Sequence, residues 1–573
     1  MDASYAFADS GSARKNDLPE SIDLSHHLNL TTRSRTANSL KGLYKYMNAP
    51  GMLSLAGGLP NPEIFPFESM SAEILPCDAL AKKPPTLTGD ISKDTVKEQS
   101  FLSWLFGKKP TKTISVPKSH TPVHDPAAVD LSTLLQYSSA EGHPALKEFI
   151  RNFVEKVYRP GFADWQVQLN VGATAGWSQV VAMLMERGDA ILVEEFTYPG
   201  AMNAYQPLDI KPVSVKIDGE GLLPEDFDRI LANWDEQKEG RRRPRVLYTV
   251  PTGQNPTGGT MLAERKQKIY DLCVKYDVII VEDEPYYFLY SDPWVPRAGK
   301  QSGQALRAYD NFKDDKKGVE EFFKKLPPSY LRFDYQGRVI RLDTFSKTIA
   351  PGSRLGWFTA NPLFTERLLR GCESAISSPN GIGQAMITKL MLEWGYDGYI
   401  RWLRGIKATY AMRRDWMCDL LESTFHLEFN QSLPVSQHIK WITAYEKTAP
   451  GMGGAVLDEK RGYKAQKPLV SFVPPSAGMF VWLAVHLDSH KDFEKVKARG
   501  EDPNRVLLEK LFIELAEHKV LVVPGFFFDA QPGQPHKGSE NIGFLRLAFS
   551  FAPHDEMKQA LEIMSRVIIK FFA

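Results

Sequence analysis

Short, wholly apolar runs alternate with longer amphipathic segments through the middle of the chain. The apolar runs predict buried strands at residues 167–171, 190–193, 213–217, 246–250, 278–281 and 339–342. The segments between them have apolar residues at helical spacing and predict helices at residues 173–186, 222–234 and 262–276. Strands that are apolar along their whole length and are separated by helices are typical of an α/β fold, with a parallel sheet covered on both faces.

The pattern changes from about residue 380 onward. A long helix is predicted at 383–421, and mixed elements follow: strands at 469–473, 479–483, 520–523 and 544–550, and helices at 506–518 and from 554. This order predicts a smaller α+β domain behind the parallel sheet. We expect residues 129–385 to form the large domain, residues 386–573 the small one, and residues 1–77 an N-terminal arm with part of the small domain.

Three segments interrupt this rhythm, at 78–128, 291–328 and 444–467. They are rich in Pro, Gly, Lys or charged residues, and we predict that they are surface insertions. The first contains one apolar patch, Phe101–Phe106, which we expect to dock on the body of the protein.

Composition excludes several classes of function. Lys and Arg number 70 and Asp and Glu 69, so a net charge of +1 offers no field for gripping nucleic acid or a membrane. The four cysteines lie far apart without a CxxC pair, which argues against a disulfide framework or a thiolate metal site and favours a reducing compartment. No apolar run is long enough to span a bilayer, and the N-terminal residues lack the apolar core of a secretory signal. Together these features predict a cytoplasmic protein.

Polar residues follow the predicted strands at the points where each strand ends. The carboxyl ends of parallel strands meet at one edge of a sheet, where ligands collect. In chain order these residues are Ala173 and Thr174 at a helix start, Tyr198, Asn255, Asp283 with Tyr286, then Thr344, Ser346 and Lys347, followed by Arg354. Each one alone has an ordinary structural explanation, such as a turn, a cap or a solvated side chain. Together they supply an anion cradle, a stacking ring, an amide, a buried acid and an amine, which a pyridoxal 5'-phosphate site requires.

The same residues lie in motifs that resemble those of a known family. These motifs are Asn255-Pro256-Thr257-Gly258, the run 282–287 with sequence EDEPYY, Ser346-Lys347 and Arg354-Leu355-Gly356. The chain resembles the fold-type I, class I and II aminotransferases. The stretches 54–62, 135–137 and 544–547 make it most similar to fungal aromatic aminotransferases and to kynurenine/2-aminoadipate aminotransferases. The resemblance runs from about residue 38 to the end of the chain, outside the three insertions.

The resemblance implies a fold with a mostly parallel seven-stranded sheet between helices, a pyridoxal 5'-phosphate cofactor and a role for each motif residue. Lys347 would bind the cofactor aldehyde and then act as general acid and base. Asp283 would pair with the pyridine nitrogen, and Tyr198 would stack on the ring. Asn255 and Tyr286 would contact the phenolic oxygen of the cofactor. The phosphate would be bound by Ala173, Thr174, Thr344, Ser346, Arg354 and a second subunit's Tyr137. The substrate would be bound by Arg546, Gly58, Asn255 and Tyr137. Relatives often carry Ser-Gln where this chain has Ala173-Thr174, so one side-chain contact to the phosphate is expected to be lost.

The implied reaction is a ping-pong transamination by a homodimer. An aromatic amino acid, kynurenine or 2-aminoadipate would donate its amino group, and 2-oxoglutarate would accept it. Arg33, Arg35 or Lys41 is a hypothetical partner for the distal carboxylate of 2-oxoglutarate. Two alternatives stay open: a lyase that uses the same cofactor, and a regulator that binds the cofactor without catalysis. The regulator is disfavoured because no helix-turn-helix pattern or basic cluster precedes the similar region.

Overall fold

A computed structural model describes residues 17–36, 58–80, 111–119, 128–296, 315–430, 441–447, 455–458, 462–465, 467–533 and 541–573. Its centre is a seven-stranded sheet. In chain order the strands are β1 Gln166–Asn170, β2 Ala190–Glu194, β3 Lys211–Val215, β4 Val246–Thr249, β5 Ile279–Asp283, β6 Val339–Thr344 and β7 Gly356–Ala360. The spatial order is β1-β7-β6-β5-β4-β2-β3. Only β7 runs antiparallel to its two neighbours, and the other neighbouring pairs are parallel. The predicted α/β class with a mostly parallel seven-stranded sheet is confirmed.

Both faces of this sheet are buried, which explains its uninterrupted apolar strands. Along β5, Ile280 packs into one hydrophobic core, while Ile279 and Val281 pack into the core on the other face. Side chains alternate between the faces of a strand, so polar residues at the strand ends also divide between the two faces.

Helices cover the sheet and connect its strands. The α-helices are Leu30–Ser34, Leu131–Leu134, Pro144–Val157, Ala173–Leu184, Pro199–Tyr205, Pro224–Ala232, Glu236–Glu239, Ala263–Tyr276, Asp315–Lys325, Pro362–Ala375, Gly381–Thr424, Phe493–Ala498, Pro503–Glu517 and His554–Phe572. The longest of them is interrupted at Gly395, whose φ of 64° and ψ of −178° are not helical and suit a residue without a Cβ. Within the described part of the chain, no helix has the length and apolar character needed to cross a membrane.

A second, six-stranded sheet lies in the C-terminal part of the chain. Its strands, in spatial order, are His426–Asn430, Trp441–Tyr445, Val470–Phe472, Phe480–His486, Ile542–Ala548 and Val523–Pro524. Every neighbouring pair is antiparallel. Helices Pro503–Glu517 and His554–Phe572 pack on it through a core of their own. Strands and helices therefore mix in this region, as in an α+β unit.

Parts of the predicted surface insertions belong to the core instead. Strand Lys112–Pro117 pairs with Ser69–Ile74, and its Ile114 and Val116 are buried. Phe322, on helix Asp315–Lys325, is also buried. These segments are short and flanked by polar residues, so their apolar positions do not stand out in the sequence. The hairpin Ala455–Asp458 with Gly462–Ala465 lies in the third segment, and the patch Phe101–Phe106 falls outside the described residues.

Some element predictions were wrong in detail. The predicted strand 520–523 is reduced to Val523–Pro524, and strands Gly356–Ala360 and Trp441–Tyr445 were not predicted. Strand Gly356–Ala360 begins with a glycine directly after Arg354 and Leu355 of the motif, so it has no apolar run at its start.

Candidate active site

The turn after β1 forms an anion cradle. Gly172 has a φ of 99° and precedes helix Ala173–Leu184, whose first turn has no side-chain cap. A Cβ on Gly172 would lie 2.5 Å from Nη2 of Arg354, so the guanidinium packs directly over this turn. Arg354 also donates from Nη1 to the hydroxyl of Ser346 (3.4 Å), which is hydrogen-bonded to the hydroxyl of Thr344 (2.8 Å). Open helix N–H groups, two hydroxyls and a guanidinium therefore converge, which suits a phosphate dianion.

Asp283, the last residue of β5, is a buried carboxylate of which one oxygen accepts a hydrogen bond. Its Oδ2 accepts a hydrogen bond from the hydroxyl of Tyr248 (2.7 Å), while its buried Oδ1 has no partner among the described residues. Burial raises the pKa of Asp283 to about 6. A buried carboxylate oxygen without a donor is costly, so this atom is suited to receive a donor from a ligand.

Lys347 lies in the turn that follows β6. Two side chains of helix Gly381–Thr424 hold this turn: Trp402 donates to the carbonyl of Thr348 (2.8 Å), and the hydroxyl of Tyr399 contacts the Thr348 hydroxyl (3.3 Å). The amine of Lys347 makes no hydrogen bond or ion pair with any described residue, and partial burial lowers its pKa. A lysine whose neutral form is favoured can act as a nucleophile and a base.

Arg546 brings the second sheet to this edge of the first. Its Nη1 donates to Oδ1 of Asn255 (2.7 Å), which is a buried residue in the turn after β4. Its guanidinium lies 4.2 Å from the ring centre of Phe480 and 4.8 Å from that of Phe528. The Nε of Arg546 is buried and has no partner in the described part of the chain. One edge of a partly buried cation is thus left to bind an anion beside aromatic rings.

Two tyrosines complete the cluster. Tyr286 is buried, and its pKa is raised first by burial and then by the negative charge of Asp283. Its hydroxyl therefore stays protonated and can donate a hydrogen bond. Tyr198 is partly exposed, and its ring folds over Gly200, where a Cβ would lie 2.6 Å from ring carbons. The positive charge of Arg546 partly opposes this rise in the pKa of Tyr286, so these two side chains lie near each other.

These residues fit the pyridoxal 5'-phosphate that the sequence motifs imply. The free Oδ1 of Asp283 matches a pyridinium N–H, and the cradle at Gly172 matches the phosphate. Lys347 supplies an amine with a lowered pKa on the next strand. The donor set therefore matches the ring nitrogen, the anion and the aldehyde of this cofactor.

No hydrogen bond, ion pair or ring contact among the described residues joins the remaining predicted site residues, Gly58 and Tyr137, to this cluster. Gly58 is exposed with open space around it, and Tyr137 is 61% exposed. The two segments are joined, since Gln136 donates to the carbonyl of Pro60 (2.7 Å). Their exposure leaves both available to a second subunit.

Two of the three basic residues proposed for the distal carboxylate, Arg33 and Arg35, have hydrogen-bond partners elsewhere in the chain. Arg33 donates to the carbonyl of His26 (2.9 Å), and Arg35 donates to the hydroxyl of Ser374 (2.6 Å). Lys41 lies outside the described residues. The role of these residues stays a prediction.

Two residues that support the site through hydrogen bonds, Tyr248 and Gln254, were not predicted from the sequence. Tyr248 interrupts the apolar run of β4, and a buried tyrosine hydroxyl usually has a hydrogen-bond partner, so its position was a usable signal. Gln254, next to Asn255, gave a weaker signal because amides are common in turns. Its Nε2 donates to the carboxylate of Glu194 (2.9 Å).

Comparisons with known proteins place this chain in a family. Residues 116–436 match the model of the aminotransferase class I and II family. An aromatic amino acid aminotransferase of Schizosaccharomyces pombe is 35% identical over 548 residues, which cover 95% of this chain and 98% of that protein. An L-tyrosine:2-oxoglutarate aminotransferase of Tapinella panuoides is 31% identical over 91% of this chain and 84% of its own length. The crystal structure of aminotransferase Aro8 from Candida albicans has a TM-score of 0.76 and 30% identity, covering 97% of this chain and 99% of that one. The chain therefore belongs to the class I and II aminotransferases and is a pyridoxal-phosphate-dependent transaminase.

Proposed function

We propose that the protein transfers the amino group of an aromatic L-amino acid to 2-oxoglutarate. The observation that carries this proposal is the partly buried guanidinium of Arg546, which lies 4.2 Å and 4.8 Å from the ring centres of Phe480 and Phe528 and whose buried Nε has no partner among the described residues. A carboxylate receptor with aromatic walls suits an amino acid with an aromatic side chain. The names of the Schizosaccharomyces pombe and Tapinella panuoides relatives support the same substrates.

Kynurenine belongs to the same proposal because it joins an aromatic ring to an α-amino acid. The 2-aminoadipate side chain ends in a second carboxylate and needs a second cation. Since 2-oxoglutarate has the same need, a site that accepts it can also take 2-aminoadipate. We rank 2-aminoadipate below the aromatic donors because its side chain has no ring to pack against Phe480 and Phe528.

Arg546 would hold the α-carboxylate in both half-reactions. Nη1 is committed to Asn255 (2.7 Å), and Nε is free to donate to the substrate. Burial lowers the pKa of Arg546, but an arginine keeps its charge in a protein. A charge-assisted pair in a partly buried site is strong and directional, so this contact would fix the α-carbon relative to Lys347.

Lys347 would move the proton at the α-carbon. Its amine has a pKa lowered by burial and no competing ion pair among the described residues, and the neutral amine is the form that accepts a proton. When bound, pyridoxal phosphate supplies the electron sink for the bond that the lysine breaks. Asp283 would keep the ring nitrogen of the cofactor protonated through its free Oδ1.

The anion cradle and two hydrogen-bond donors would hold the cofactor in place. The cradle comprises the N–H groups of Ala173 and Thr174 with the Thr344, Ser346 and Arg354 side chains. The Tyr286 hydroxyl and the Asn255 amide lie on the side of Arg546 and would contact the phenolic oxygen. Tyr198, at the start of helix Pro199–Tyr205, would stack on the ring.

We further propose that the active enzyme is a homodimer with shared sites. Tyr137 is exposed in one chain, and a Cβ added to Gly58 would have nothing within 4 Å, so both can reach a neighbouring subunit's site. Mixing inactive Lys347→Ala subunits with weakened Tyr137→Ala subunits should then restore activity, because each mixed dimer has one site with both residues intact. Activity that stays at the mean of the two variants would contradict sharing.

We also propose a cytoplasmic location. Cys77, Cys273, Cys372 and Cys418 are all free thiols in the structure, which supports a reducing compartment. Fluorescence microscopy of a tagged full-length protein tests this proposal, and accumulation in an organelle would contradict it.

The function is tested by single-turnover spectroscopy on the purified, cofactor-loaded protein. Phe, Tyr, Trp, kynurenine and 2-aminoadipate are mixed in turn with the enzyme, and conversion of the bound cofactor from its aldehyde to its amine form is followed. We expect the aromatic donors to react fastest and 2-oxoglutarate to reverse the change. Release of ammonia without an acceptor would instead identify a lyase.

Two lysine variants make this test specific. Lys347→Ala should abolish the spectral conversion. Lys156→Ala, which removes an amine that lies over the ring of Tyr396 on another helix, should leave it intact. Wild-type turnover by Lys347→Ala would overturn the assignment of the site.

A further inference from the structure

Glu194 is a buried carboxylate that no cation accompanies among the described residues. It is the last residue of β2 and is 1% exposed. Its Oε1 accepts from the hydroxyl of Thr249 (2.7 Å), and its Oε2 accepts from Nε2 of Gln254 (2.9 Å) and the backbone N–H of Val250 (3.4 Å). All three donors are uncharged. Burying an acid in this way is costly, and the hydrogen bonds show where that cost is offset.

Gln254 uses both ends of its amide to bind two different segments. Its Nε2 donates to Glu194 and to the carbonyl of Phe196 (2.6 Å). Its Oε1 accepts from the N–H (2.8 Å) and the hydroxyl (2.7 Å) of Thr257. The acceptor groups of Glu194 and Phe196 therefore determine which way the amide points, and the amide in turn holds Thr257.

The turn held in this way contains Asn255. Its backbone is closed by two further hydrogen bonds, from the N–H of Gln254 to the carbonyl of Gly259 (2.9 Å) and from the N–H of Gly258 to the carbonyl of Gln254 (2.7 Å). Asn255 Oδ1 accepts from Nη1 of Arg546 (2.7 Å). Hydrogen bonds and the short turn between Gln254 and Thr257 thus join Glu194 to the guanidinium that faces the substrate.

We propose that Glu194 is a positioning residue that, through Gln254, fixes Asn255 and thereby the orientation of Arg546 toward the substrate carboxylate. This inference rests on the proposed role of Arg546 in carboxylate binding. The hydrogen-bond partners of Glu194 are Thr249, Val250 and Gln254, and it is not among the residues proposed to contact substrate or cofactor. Its contribution therefore appears in the affinity for carboxylates more than in the proton transfer at Lys347.

The test measures carboxylate binding separately from catalysis. The probe is 3-phenylpropanoate, which has an aromatic ring and a carboxylate but no amino group, so it binds without reacting. Its inhibition constant and the KM and kcat for phenylalanine are measured on the cofactor-loaded enzyme. Glu194→Ala leaves the Gln254 amide with only the carbonyl of Phe196 as an acceptor, and we expect the inhibition constant and the KM to rise about tenfold, with a smaller change in kcat.

Two variants distinguish positioning from general loss of structure. Glu194→Gln can point its Oε1 at Gln254 and its Nε2 at the Thr249 hydroxyl, which can accept, so we expect binding within about twofold of wild type. Asp334→Ala removes another fully buried carboxylate held by uncharged donors, namely the Tyr270 hydroxyl (2.9 Å) and backbone N–H groups. Asp334 binds the N–H of Val339 at the start of β6, on the opposite edge of the sheet. This control should leave the inhibition constant unchanged.

A milder variant keeps the test decisive if Glu194→Ala does not fold. Thr257→Val removes one donor to Gln254 at a partly buried position and should raise the inhibition constant in the same direction by a smaller factor. In the double variant Glu194→Ala/Thr257→Val the effects should be less than additive, because both act through one amide. The proposal is overturned if the Glu194→Ala and Thr257→Val inhibition constants stay within twofold of wild type, or if Asp334→Ala raises the constant equally. A wild-type enzyme that binds the probe but does not transaminate would instead refute the proposed function.

Discussion

Arg341 is predicted to be a major contributor to the stability of the sheet behind the active site. It lies on β6 and is fully buried. Its guanidinium contacts Asp343 (2.8 and 3.0 Å) and Glu282 (3.3 Å), and it lies between the rings of Tyr158 (3.8 Å) and Tyr287 (4.6 Å). Replacing Arg341 with Met keeps much of the volume but leaves the buried Asp343 without its cation and Glu282 with only Lys266, at 3.9 Å.

The loss of stability in Arg341→Met can be estimated from the burial of its ion pairs. Breaking a buried ion pair by removing one partner costs about 3–5 kcal/mol. With an unfolding entropy of about 2.1 cal/mol/K per residue, a single cooperative unit of this length would lose about 3–4 °C in Tm. The matched control is Arg229→Met, because Arg229 pairs with Asp226 at 2.6 Å but is 62% exposed. Exposed pairs contribute about 0–1 kcal/mol, so Tm should change by about 1 °C or less.

Differential scanning calorimetry of both variants, with the cofactor bound and at one pH, measures the two shifts. The reasoning would be refuted if Arg341→Met melted within about 1 °C of wild type, or if the two arginine variants lost the same amount. Either result would mean that the buried carboxylates find other partners or become protonated at little cost.

Three further predictions concern backbone crowding, cofactor affinity and pH. Gly253→Ala should lower the free energy of unfolding by about 2–4 kcal/mol, because its φ is 60° and a Cβ there would lie 2.4 Å from the backbone N of Gly478. Gly240→Ala is the control: its φ is 64° but the space around it is open, so the loss should be about 1 kcal/mol. Equal losses of Tm would contradict this prediction. Asp283→Asn removes a charge-assisted contact and should raise the cofactor Kd roughly 10- to 150-fold in absorbance titrations, and an unchanged Kd would count against pairing with the ring nitrogen. Burial lowers the pKa of His27 from 6.5 to about 4, so the unfolded chain takes up the proton first and stability falls as pH drops from 6.5 toward 4. His27→Asn should flatten that fall in Tm, and parallel curves for variant and wild type would refute it.

Most strands of the large sheet could be predicted because burial on both faces leaves an unbroken apolar run. β7 could not be predicted in this way. It begins with Gly356, its Thr359 is polar though buried, and it follows β6 after a short antiparallel connection rather than after a helix. The alternation of strands and helices that reveals parallel strands therefore gives no signal there.

The sequence predicts which residues gather at one edge of the sheet, but it does not predict their hydrogen-bond partners. Asp283 and Tyr248 are 35 residues apart and meet only because β4 and β5 are neighbours. Glu194 and Gln254 meet in the same way across β2 and β4. Strand order follows from packing of the whole domain, and hydrophobic periodicity along the chain does not specify it. The partners that tune the site's charges therefore became visible only in the fold.

The acidic run 282–284 at the end of β5 shows how one sheet edge holds structural and reactive charge together. Since side chains alternate along a strand, Asp283 faces the site while Glu282 and Glu284 face the other side. There Glu282 lies 3.3 Å from Arg341, and Glu284 lies 3.7 Å from the buried amine of Lys266. The cations of this region are thus engaged on the far face, and no cationic side chain among the described residues contacts Asp283. Its carboxylate therefore has one unpaired oxygen and a raised pKa of about 6, and a donor from a bound cofactor would supply the missing partner.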